Sequence, residues 1–124
     1  MKKTILPVLL ATIWISLSEF VRNEFLFKQF WTKHYESLGL VFPSEPVNGA
    51  VWGIWSLFLA IAIFIVSKKF GLWQTIALMW FVAFVLMWLV VGNMGVLPYD
   101  ILFYAVPLSI LEVGIAVLII RKLS

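Results

Sequence analysis

Four long apolar runs dominate the chain: Thr4–Ser18, Gly49–Val66, Leu72–Val91 and Ile101–Ile120. The first three contain no charged residue, and the fourth contains only Glu112. A helix rises about 1.5 Å per residue, so about 20 residues cross a hydrocarbon core of about 30 Å. Within lipid a helix satisfies its own backbone hydrogen bonds, whereas an open sheet or irregular chain cannot. The runs therefore predict an all-α integral membrane protein, a four-transmembrane-helix bundle. Its spans are expected at about 4–23, 49–66, 72–91 and 101–120 of a single membrane domain covering 1–124. Composition agrees, since 64% of residues are apolar and 12% charged, far from the balance of a soluble domain.

The first run is the least straightforward. Counting about 20 residues from Thr4 carries the span to Asn23 and places Glu19 inside it, roughly 6 Å below the far boundary. Arg22 lies near enough to that boundary for its head to snorkel outward, and it stands three residues from Glu19, within pairing reach. Thr12, Ser16, Glu19 and Asn23 recur at i, i+4, i+7 and i+11, a polar stripe that must face protein or water. Lys2-Lys3, the short apolar core and Ser16-Leu17-Ser18 also fit the outline of a cleaved signal peptide. The return of apolar residues at Phe20 and Val21 favours a span.

Glu24 to Leu38 reads as an amphipathic helix. Phe27, Phe30, Trp31, His34, Tyr35 and Leu38 fall on one side, with Lys28, Gln29, Thr32, Lys33 and Glu36 opposite. So aromatic a face directly after a span predicts a short amphipathic interfacial helix between spans 1 and 2, lying in the headgroup plane. Gly39 supplies its stop, with Leu40 able to pack back on the last turn. Val41 to Asn48 is a loop punctuated by Pro43 and Pro46. In the second span Gly49, Gly53, Ser56 and Ala60 share one face, and Gly49–Gly53 is a GxxxG. Packing inside the chain's own bundle is its expected use, and a dimer seam is the alternative. Gly92 to Gly95 and Pro98-Tyr99-Asp100 make the turn before the fourth span.

Charge position sets the orientation. Lys2, Lys3, Lys68, Lys69, Arg121 and Lys122 lie on one side with no acid. Arg22, Lys28 and Lys33 lie on the other with Glu24, Glu36, Glu45 and Asp100. Both termini are therefore expected in the cytoplasm, with Glu24 to Asn48 facing outward. The net charge of +3 belongs to span ends, which argues for the lipid bilayer as partner and against nucleic acid. With no cysteine, disulfides and thiolate metal sites are excluded.

Glu112 is the sharpest point. Eleven residues precede it in its span, roughly 17 Å of helix, which puts a carboxyl near the bilayer centre. It must face the bundle interior, on a face shared with Ala105, Ser109 and Ala116. As structural glue it would hydrogen-bond a neighbouring helix; as a functional group it would bind a proton or ligand. With upright helices Glu19 and Glu112 differ in depth by roughly 11 Å and should not touch. They would mark the mouth and floor of one outward-opening cavity, with Arg22, Asn23, Asn48, Asn93 and Asp100 at its rim. Helix capping and interface anchoring are the plainer roles for those rim residues. His34, the only histidine, has no cysteine or carboxylate pair near it in sequence, so no metal site and no cofactor are expected. No nucleophile elbow, P-loop, dinucleotide glycine pattern or HExxH is present, and enzymatic activity finds no motif to rest on.

Four spans in so short a chain, with Glu19 in the first, resemble the small multidrug-resistance transporters in outline. That resemblance implies that Glu19 binds protons and cations in turn within an antiparallel dimer. Here Glu19 lies late in its span, the following connection is longer, and the basic bias is one-sided. Phe27-Lys28-Gln29-Phe30-Trp31 after a first span is similar to uncharacterised bacterial four-span membrane proteins, which implies a bacterial inner membrane and no particular activity. The residues lead to a binding or transport-type bundle. Its ligand or proton site is expected at Glu19, Arg22, Asn23, Asn48, Asn93 and Glu112, for a small cationic or amphipathic molecule or a lipid. The alternative is an accessory or assembly subunit whose small-residue faces dock a membrane protein partner or a second copy.

Overall fold

The apolar runs all become helix. The computed structural model of the chain describes residues 2–124, and no strand occurs among them. Four helices are long and apolar enough to cross a membrane: α1 (Lys2–Leu26), α3 (Pro46–Ser67), α4 (Leu72–Asn93) and α5 (Tyr99–Leu123). A short helix, α2 (Lys28–Ser37), follows α1 after a break at Phe27. The first helix thus runs three residues past its expected end at Asn23, and α2 is correspondingly shorter than the 24–38 stretch.

The ends of these helices follow local chemistry. Pro46 occupies the first position of α3, where its missing N–H costs nothing, and Asn48 Oδ1 accepts the Glu45 N–H at 2.8 Å. Gly39 and Gly95 both adopt positive φ, 74° and 79°. At each, the last turn closes in the same paired way. Gly39 N–H donates to Glu36 O and Leu40 N–H to Tyr35 O, while Gly95 N–H donates to Gly92 O and Val96 N–H to Val91 O. Leu40 itself stays half exposed and does not pack back.

Helix α5 packs against α1, α3 and α4 and is the most buried of the four. Along it the interior is layered. Ile101 and Ala105 join Phe27 and Leu97 in an apolar cluster at the α2 end. Val113, Ala116, Val117 and Ile120 join Val8, Ala11, Ile15, Ile63 and Met79 in a larger cluster at the other. Ser109 and Glu112 lie between them, fully buried, level with the equally buried Glu19 and Arg22 of α1. A polar layer is therefore held between two apolar ones.

Two helices depart from α geometry where this layer sits. Val21–Leu26 and Phe81–Val85 are π-helical, with the Phe27 and Leu86 N–H groups reaching back five residues to Arg22 O and Phe81 O. Buried positions from α1 to the break at Phe27 explain the first: Ala11, Ile15, Glu19, Arg22 and Phe27 are spaced four, four, three and five. A step of five keeps one face only if the turn widens. In α4, Thr75, Met79 and Phe84 repeat the pattern with steps of four and five.

The GxxxG face of α3 divides. Ser56 and Ala60 are fully buried, but a Cβ placed on Gly49 or Gly53 meets nothing within 4 Å. The expected packing of these glycines inside the chain's own bundle is therefore not realised.

Candidate functional site

Arg22 draws two carboxylates together. Its Nη2 lies 2.6 Å from Glu19 Oε1 and its Nη1 donates to Glu112 Oε1 at 3.3 Å. Asn23 Nδ2 donates to the other Glu19 oxygen at 3.0 Å and to the Glu19 carbonyl at 3.1 Å. The guanidinium also lies over the Phe84 ring, 5.1 Å from its centroid, and this ring is wholly buried. Each partner comes from a different helix, so one side chain ties α1 to both α5 and α4.

This arrangement corrects two expectations. Arg22 turns inward instead of snorkelling, and Glu19 and Glu112 meet through it instead of standing apart. The reach of Arg22 is the reason: one guanidinium nitrogen pairs with Glu19 and the other with Glu112, so the two carboxyls need not stand at the same level. A head group with two buried carboxylates in reach has more to gain inside than at the boundary.

The oxygens are not equally satisfied. Glu19 Oε2 accepts from Asn23 and Glu19 Oε1 is held by the Arg22 ion pair alone, without a hydrogen bond, whereas Glu112 Oε2 is buried with neither an ion pair nor a hydrogen bond. Glu112 and Arg22 border a groove of about 250 Å³ between α1 and α5. Trp14, Ser18 and Arg22, at i, i+4 and i+8, form its α1 wall, with Leu108 and Leu111 on the α5 wall. Trp14 Nε1–H donates to the Glu112 carbonyl at 2.9 Å and fixes that wall. Only two helices line the groove, and Leu17, Val21, Leu26 and Leu111 beside it are exposed. It therefore opens on the flank of the bundle, with apolar sides and the buried Arg22 and Glu112 behind them.

Asn48 and Asn93 do not join this group. Asn48 serves the N-terminus of α3, and Asn93 is exposed at the end of α4. Asp100 lies at a separate pocket with His34, whose Nε2 is 2.7 Å from the Gly95 carbonyl. No group of three side chains able to hold a metal ion converges among the described residues. Sequence reasoning missed Trp14, Ser18 and Phe84. The i, i+4, i+8 spacing of Trp14, Ser18 and Arg22 was available as a signal, whereas Phe84 depends on a π-turn that no 3.6-residue periodicity reveals.

No protein-family model matches the chain, and no curated protein or solved structure is similar to it.

Proposed function

We propose that the chain is an integral membrane protein, one domain with both termini cytoplasmic, that binds and exchanges a small amphipathic cation against a proton at Glu112. On this reading α2 lies in the outer headgroup plane, and the groove between α1 and α5 opens toward the acyl chains. The observation that carries the proposal is Glu112 Oε2, a buried carboxyl oxygen without a partner on a residue that lines the groove. Two carboxylates face one guanidinium, so one negative charge is left over in a region where net charge is costly. A proton cancels it, and so does a cation arriving through the groove. Apolar walls would take the ligand's body, and the ion pair with Arg22 would hold Glu19 out of the exchange.

Binding of benzyltrimethylammonium, a permanent cation with no proton of its own, tests the site. Protein in mild detergent is expected to bind it, and Glu112→Gln to abolish binding while preserving helical content. Unchanged binding in Glu112→Gln would refute the assignment.

A second reading, an accessory subunit of a larger membrane complex, draws on the open faces of Gly49 and Gly53. It predicts that Gly53→Leu disrupts a complex in the native membrane while Glu112→Gln has little effect. Ala116 cannot contribute to such docking, since it is completely buried within the bundle.

A further inference from the structure

The second cavity, about 530 Å³, lies between α2 and the start of α5 and is lined by Gln29, Phe30, Lys33, His34, Tyr99 and Asp100, over the buried ring of Pro98. Its two charges are opposite and lie on opposite walls. Among the described residues neither is in an ion pair, for the salt bridges are confined to Arg22 with Glu19 and Glu112, and Lys28 with Glu24. A lysine and an aspartate on one cavity, held apart, present a positive and a negative pole to whatever enters. Both walls are fixed from behind. Phe27 and Trp31 anchor α2 against Leu97 and Ile101, and His34 ties it to the Gly95 carbonyl. Opposite, the Tyr99 hydroxyl donates to the Gly92 carbonyl at 2.8 Å. The rings of Phe30 and Tyr99 remain partly exposed beside the charges, where an alkylammonium gains from an aromatic face.

We propose that this pocket holds the zwitterionic headgroup of a phospholipid, its phosphate at Lys33 and its ammonium at Asp100. The lipid origin follows from position. The pocket stands at the outer ends of α4 and α5, where headgroups lie if these helices cross a bilayer. One turn further along α5 the exposed Tyr104 pairs with Phe27 at 6.5 Å, an aromatic surface for the start of an acyl chain beside the headgroup. The inference rests on the membrane placement proposed above and is independent of the exchange at Glu112.

The test is native mass spectrometry of the full chain released from nanodiscs containing equal amounts of phosphatidylethanolamine and phosphatidylglycerol. Wild type is expected to retain phosphatidylethanolamine several-fold over phosphatidylglycerol. Lys33→Glu and Asp100→Lys should each remove that preference, and the charge-exchanged pair, Lys33→Asp with Asp100→Lys, should restore part of it. Glycerophosphoethanolamine in excess, which carries the headgroup alone, should compete only weakly; full competition would mean that a soluble zwitterion suffices and overturn the lipid assignment. Equal retention of the two lipids, a preference for phosphatidylglycerol, or a preference surviving both single variants would overturn the proposal. Glu112→Gln should keep the preference, which separates failure here from failure of the exchange reading; its loss in that variant would locate the lipid in the groove instead.

Discussion

Arg22 is the residue on which the interior depends. It faces two carboxyls and an aromatic ring in the bundle interior, so its removal leaves the buried Glu19 without its ion-pair partner and Glu112 without its donor. Breaking such a buried pair from one side typically costs about 3–5 kcal/mol. Arg22→Met is expected to lower stability by about that much, read as a shift in the unfolding midpoint in mixed micelles. Combining it with Glu112→Gln should recover part of the loss, because the amide replaces one of the two carboxyls that Arg22 holds. Strict additivity of the two variants would count against a shared cluster. Glu112 was legible in the sequence as a single carboxylate deep in an apolar run. The inward turn of Arg22 was not, because whether a long cation snorkels or stays depends on what other helices bring to it.

Among the elements, the four long apolar helices could be read from hydropathy, and their turns from glycine and proline. Gly95, at φ 79°, sits where a side chain is strained, and nothing crowds its Cβ position. Gly95→Ala should therefore cost about 1–2 kcal/mol through the backbone alone, measurable by thermal unfolding. The π-turns were illegible for a physical reason. A widened turn inserts one residue without moving the faces on either side, so it shows only once the buried positions are known. Deleting Phe25, exposed within the π-turn of α1, should accordingly be tolerated, since it converts the five-residue step from Arg22 to Phe27 into an ordinary four. Deleting Ile13, also exposed but in α-helical surroundings, rotates everything beyond it by about 100° and should abolish folding. Comparable folded yield from the two deletions would contradict this account of the π-turn.

The whole molecule reads as two apolar layers enclosing a charged one, with a groove leading to that layer from the side. Fold class followed directly from the four runs, whereas the pairing of α1 with α5 that builds the groove did not, since hydropathy does not reveal which helices are neighbours. Orientation is open to a direct check, because the chain has no native cysteine. A membrane-impermeant maleimide applied outside should label Ser44→Cys in intact cells and spare Ser124→Cys; labelling of both would contradict the single orientation. Exchange of a cation for a proton at Glu112 can be checked by counting protons. Titration with benzyltrimethylammonium in weakly buffered micelles should release about one proton per cation bound, the charge balance the layer requires. Arg22 and Glu19 remain paired throughout in this account, so Glu19→Gln should not by itself supply or remove the exchanged proton. Binding without proton release at any pH between 5 and about 10, or release undiminished in Glu112→Gln, would contradict it.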